Sequence, residues 1–142
     1  MDVITTHINA DFDAAASMTA VKKFYPDAIL VFPGAQEKSV RDFFSKPLHR
    51  IESYKIKDIN LENISRLILV DVKNKDRIGQ FAGILDNKGL VIHIYDHHPF
   101  TPEDIKGQKV VIEPVGATTT IFTEMIQQNK INISPVEATT LA

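Results

Sequence analysis

Five short apolar runs, separated by stretches with helical spacing, constrain this chain more than any other feature. The runs predict strands over Val3–Thr6, Ala28–Phe32, Leu67–Val70, Leu90–Tyr95 and Lys109–Glu113. Four of them are rich in Val and Ile and apolar on successive residues, as strands covered on both faces are. Tyr54–Ile59 alternates weakly and reads as an edge strand. Between them, helices are expected at Asp13–Tyr25, Glu37–Phe44, Asp76–Leu85 and Ala117–Asn129, with Ala14, Met18, Val21 and Tyr25 on one sheet-facing stripe. Pro26, Pro33-Gly34, Asn87-Lys88-Gly89 and Pro114 punctuate the joins. The pattern predicts an α/β fold: a mostly parallel central β-sheet with helices on both faces.

The 142 residues suit one domain. A formal net charge of −2 gives no global positive field to draw a polyanion, although a local groove can still be basic. No apolar run approaches the roughly 20 residues that span a bilayer, and the N-terminus has no signal-peptide pattern, so a membrane role is not expected and the cytoplasm is the default location. The chain has no cysteine, which excludes disulfides and thiolate metal sites. Any metal must sit on oxygen and imidazole.

Three strand ends carry the chemistry. After the first strand comes His7-Ile8-Asn9-Ala10-Asp11-Phe12-Asp13. Ligands in open α/β sheets bind beyond the carboxyl ends of strands, where this segment falls. Asp11 and Asp13 held close repel unless a proton or cation intervenes, and His7 adds a nitrogen suited to Mn, Zn, Fe or Co. Either Asp read singly is a helix cap. Asp71 closes the run Arg66–Val70; it is placed for a carboxylate shared by two metals, or for a plain strand terminator. Asp96-His97-His98 closes a third run, and an Asp beside His can fix the imidazole tautomer. The competing reading is a polar turn before Pro99. His93, inside the strand, reads as a core or sheet-face histidine. His7, Asp11, Asp13, Asp71, Asp96, His97 and His98 are too many ligands for one ordinary site and about right for two metals, the standard apparatus of in-line displacement at phosphorus. Gly116-Ala117-Thr118 at a helix start could cradle a phosphate on backbone N–H groups or simply cap the helix. Lys73, Lys75 and Arg77 read mainly as a solvated face.

With those residues assembled, the sequence resembles the DHH phosphoesterase superfamily. The likeness rests on HINADFDAAAS at 7–17, the aspartate in LILVDV at 67–72, YDHHP at 95–99 and GATTTIF at 116–122. Members include RecJ-like exonucleases, nano-RNases, cyclic-dinucleotide phosphodiesterases and family II inorganic pyrophosphatases. The resemblance implies two Mn2+ sites, with Mg2+, Co2+ or Zn2+ as alternatives. His7 and Asp11 would hold one metal, Asp13 and His97 the other, and Asp71 would bridge them. Asp96 would orient its neighbours. His98 would approach the substrate phosphate or help protonate the leaving group, and Gly116 and Thr118 would lie near the substrate. The implied substrate is a nucleotide or short single-stranded nucleic acid. The opening stretch looks most like the subgroup in which a DHH domain is joined to CBS and poly(A)-polymerase or tRNA-nucleotidyltransferase regions.

Ser134-Pro135-Val136-Glu137 reads as a strong helix start, eight residues or fewer from Ala142. The expectation is a domain over 1–142 cut short before a last ligand aspartate and before a DHHA1-like C-terminal substrate domain, hence weak or inactive alone. A homodimer is compatible with the family. Two other readings stand beside hydrolysis: a non-catalytic nucleotide-sensing module, and a pyrophosphatase, ranked lower because the family's pyrophosphatases typically have Pro where this chain has Ala10.

Overall fold

The computed structural model describes residues 1–47, 52–99, 101–112 and 118–128. Each apolar run becomes a strand: β1 (Asp2–Thr5), β2 (Ile29–Phe32), β4 (Arg66–Val70), β5 (Val91–Asp96) and β6 (Lys109–Ile112), with β3 (Tyr54–Lys55) short and exposed. They form one sheet in the order β3-β2-β1-β4-β5-β6, and every pairing among them is parallel. The chain winds outward one way from β1 and the other way from β4. The crevice between the carboxyl ends of β1 and β4 is therefore the topological switch point, where open α/β sheets bind ligands.

Strand periodicity divides the core. Ile4, Ile68, Val70 and Tyr95 face α1 (Phe12–Val21), whose Ala14, Met18 and Val21 are buried against them, and α2 (Lys38–Phe44) adds Val40 and Phe44. Tyr25, just past α1, is buried on the same face, so the expected apolar stripe holds. Its hydroxyl lies 2.6 Å from His93 Nδ1 and 2.8 Å from Tyr95 Oη. His93 is thus the half-buried sheet-face histidine expected, and burial, with Arg66 and Lys109 nearby, lowers its pKa. Val3, Leu67, Leu69, Ile92 and Ile94 point the other way, onto Ile64, Ile78, Phe81 and Ile84. A third helix, α3 (Thr118–Gln128), packs beside α1. No helix among the described residues is long and apolar enough to cross a membrane.

The second face departs from expectation. The α-helix predicted over Asp76–Leu85 is instead two 3₁₀ segments, Lys75–Arg77 and Gly79–Ile84. Gly79 adopts φ +58°, so no continuous α-helix can run through it from Asp76 to Leu85. The apolar spacing of Ile78, Phe81 and Ile84 serves a tight i, i+3 turn as well as an α-helix. The edge strand is also shorter than Tyr54–Ile59, because Ile56–Asp58 turn into a 3₁₀ segment. A Cβ at Gly79 would stand 3.3 Å from the Pro33 carbonyl oxygen. Gly79→Ala should therefore cost about 1–2 kcal/mol, from the left-handed penalty for an L-residue. A urea midpoint unchanged from wild type would count against that account.

Glu113, Pro114, Gly116, His49 and the predicted helix start at Ser134–Glu137 lie outside the described residues.

Candidate metal centre

Loop 7–11 leaves β1 at the switch point and is pinned on both sides. The Ile8 N–H donates to the Arg77 carbonyl (2.8 Å), and the Asn9 N–H donates to the Ala35 carbonyl (3.1 Å). Asn9 takes φ +57°, a left-handed conformation that Asn tolerates better than most residues. At the end of the loop, Asp11 Oδ1 accepts from the Ala14 N–H at 2.9 Å and caps α1. The cap and the site use the same atom, since Asp11 Oδ1 also stands 3.9 Å from His7 Nε2.

His7 is buried. Its Nδ1 lies 2.8 Å from the Ile8 carbonyl oxygen, which can only accept, so Nδ1 carries the proton. Nε2 faces Asp71 Oδ2 at 3.4 Å. A lone pair facing a carboxylate repels it unless a proton or cation sits between. Burial lowers the His7 pKa, but the hydrogen bonds to Asp71 and to the Ile8 carbonyl outweigh it and leave the group above its ordinary value.

Asp71 closes β4 at φ +58°, a conformation of order 1–3 kcal/mol for a non-glycine residue and found mainly where function requires it. Its N–H donates to the Tyr95 carbonyl at 2.8 Å, which fixes it against β5. The two carboxylate oxygens look opposite ways. Oδ2 faces His7, while Oδ1 accepts from Thr118 Oγ1 at 3.0 Å and lies 3.2 Å from His97 Nε2. Burial raises the Asp71 pKa; His7 opposes this, and the neighbouring Asp13 adds to it. Asp13 Oδ2 accepts from the Thr118 N–H at 3.0 Å and is 3.8 Å from His97 Nε2. These bonds commit both polar groups of Thr118 to the carboxylates.

Donor atoms thus cluster twice within 4.8 Å, as His7, Asp11 and Asp71 and as Asp71, Asp96, His97 and His98, with Asp71 common to both. Hard carboxylates and neutral imidazoles suit a first-row divalent cation, and like charges crowded at a buried Asp71 are what such a cation would relieve. The donor set fits.

Behind the second cluster stands a residue that sequence reasoning misplaced. Lys73 is buried, not part of a solvated face. Its Nζ donates to the Pro99 carbonyl at 2.7 Å and lies 3.4 Å from Asp96 Oδ2 and 3.6 Å from Asp104 Oδ2. Asp96 Oδ1 meets His98 Nδ1 at 2.6 Å, while its buried Oδ2 has the Lys73 ammonium nearby and accepts no hydrogen bond among the described residues. Asp104 was not anticipated, because the loop carrying it has no periodicity. Its carboxyl is raised by burial but more strongly lowered by the N–H and hydroxyl of Thr101 and by Lys73, for a net depression. Lys75 and Arg77 are exposed, as expected.

A sequence model described as the DHH family, N-terminal domain, matches residues 3–142. An A-adding tRNA nucleotidyltransferase of Geobacter sulfurreducens is 45% identical over 140 residues, and one of Aquifex aeolicus is 34% identical over 140 residues. The match covers 98% and 99% of this chain but only 16% of each relative's length. Among solved structures, an exopolyphosphatase-related protein of Bacteroides fragilis superposes with TM-score 0.78 at 18% identity, covering 99% of this chain and 43% of that one. A candidate family II inorganic pyrophosphatase of Methanococcus jannaschii gives TM-score 0.78 at 22% identity, over 99% and 46%. At such identities the structures speak for the fold alone.

Proposed function

Because this chain belongs to the DHH family, whose N-terminal domain it matches over residues 3–142, we propose that it is the metal-binding phosphoesterase domain of a longer protein and hydrolyses a phosphodiester or phosphomonoester of a nucleotide or short oligonucleotide. The observation that carries this reading is the Asp71 carboxylate, one oxygen 3.4 Å from His7 Nε2 and the other 3.2 Å from His97 Nε2. A carboxylate so placed can serve two cations at once. His7 and Asp11 would hold one, Asp13 and His97 the other. Bound divalent cations, Mn2+ first among the candidates, supply an activated water and neutralise charge on the phosphoryl oxygens.

The chain's own groups do the rest. Thr118 and the Ile8 carbonyl hold Asp13, Asp71 and His7 in place, as supporting partners of metal ligands do. Asp96 orients His98, which is half-exposed and placed to meet a phosphoryl oxygen or to give a proton to the leaving group. Gly116 is the remaining candidate for a backbone contact to phosphate. The relatives' names support work on RNA ends beside a nucleotide-adding module; the reading is completed by CBS or DHHA1-like regions elsewhere in a longer chain, a homodimer and a cytoplasmic location. The structural likeness to the M. jannaschii protein keeps pyrophosphate on the panel of substrates.

The full-length protein should release mononucleotide from a short RNA only with Mn2+ or a similar ion, and chelation should abolish release. Tight nucleotide binding without turnover of RNA, phosphoadenosine phosphate, cyclic dinucleotides or pyrophosphate would favour a sensing module instead.

A further inference from the structure

A cavity of about 330 Å3 opens beside the centre, lined by Asp71, Lys73, Arg77, Asp96, His98 and Asp104 among others. Two of these side chains are cations, and they differ in a way that decides what the cavity can hold. The Lys73 ammonium is enclosed and already shared between Asp96, Asp104 and the Pro99 carbonyl. The Arg77 guanidinium is exposed, and among the described residues no ion pair or side-chain hydrogen bond commits it. Its backbone, by contrast, is anchored: the N–H donates to the Asn74 carbonyl at 3.1 Å, and the carbonyl accepts from Ile8 beside His7. The residue is therefore fixed at its base and free at its tip, at the mouth of an acid-rich cavity.

We propose that Arg77 is a substrate-binding residue that clamps a phosphoryl oxyanion in this cavity, opposite His98. The proposal rests on the phosphoesterase reading and names the residue that recognises the anion. Guanidinium is the apt group, because its planar fork meets two oxygens of one phosphate, whereas Lys73, the other cation among the described lining residues, is buried beside Asp96, Asp104 and the Pro99 carbonyl. Arg77 lies outside both donor clusters, so replacing it should leave cation binding alone.

The test uses the full-length protein with Arg77→Gln and Arg77→Lys. For a short RNA with Mn2+, Arg77→Gln should raise KM about tenfold or more, from the loss of a charge-assisted pair, while kcat changes much less. The inhibition constant of inorganic phosphate should rise in parallel, Arg77→Lys should recover part of the loss, and the Mn2+ affinity measured by calorimetry should stay at the wild-type value. Unchanged KM and phosphate inhibition in Arg77→Gln would overturn the proposal, as would an equal loss of Mn2+ affinity. Should the wild-type protein hydrolyse nothing, the phosphoesterase reading fails by itself. Arg77 is then tested by binding AMP against adenosine, where the wild type should prefer AMP and Arg77→Gln should lose that preference. A preference for AMP that survives the substitution would overturn the assignment.

Discussion

If Asp71 serves two cations as proposed, replacing it with Asn should reduce turnover by the full-length protein about 10³-fold or more, the equivalent of roughly 4 kcal/mol of lost charge stabilisation. Asn is the informative substitution. It keeps the shape of the side chain, can still meet Thr118 Oγ1, and tolerates the φ of +58° better than Ala. Stability without divalent cation should respond in the opposite sense. Burial first, and then Asp13, raise the Asp71 pKa above its unfolded value. A carboxyl shifted that way contributes stability below the unfolded pKa and loses it as pH rises through the folded one. At neutral pH the ionised group therefore burdens the native state, and Asp71→Asn removes the burden. Urea midpoints against pH should fall more steeply for the wild type than for the variant on the rise out of the acid range. Adding Mn2+ should stabilise the wild type and do little for Asp71→Asn. Turnover within tenfold of wild type in Asp71→Asn would end the two-cation reading.

Lys73→Met should be the most damaging single change to the fold near the site. Methionine matches the aliphatic stem but leaves the Asp96 carboxylate, 0% exposed, without its counterion. Breaking a buried pair from one side costs about 3–5 kcal/mol, because the surviving charge is stranded. The loss reaches function through Asp96, which would no longer be held against His98. It also weakens Asp104, whose depressed pKa marks stability that is present above the unfolded carboxylate range and lost as pH falls through the folded value. A double-mutant cycle separates the causes: adding Asp96→Asn to Lys73→Met should recover much of the loss. A single substitution costing under about 1 kcal/mol would place this pair with ordinary surface bridges instead.

Most of the sheet was legible because buried parallel strands must be apolar on successive residues. The runs at residues 3, 28, 67, 90 and 109 became strands within a residue of their expected ends, Glu113 lying outside the described residues. The Asp76–Leu85 segment was not legible, since Ile78, Phe81 and Ile84 satisfy both an α-helix and a 3₁₀ turn, and one glycine dihedral chose between them. Lys73 misled for a related reason. Flanked by Asn74, Lys75 and Asp76, it reads as one of a solvated charge run, and only the loop returning from β5 encloses it.

The sequence by itself singled out the carboxylates and imidazoles that cluster and the strand ends that present them, because a run of apolar residues followed by polar ones is local and survives without a partner. The tertiary structure alone decided how they combine. The switch between β1 and β4 brings His7 and Asp71 within 3.4 Å across 64 residues of chain, the left-handed turn at Asp71 gives each of its oxygens a different histidine, and the buried Lys73 and uncommitted Arg77 part ways. Those are facts of distance and solvent exclusion, which depend on where the rest of the chain goes.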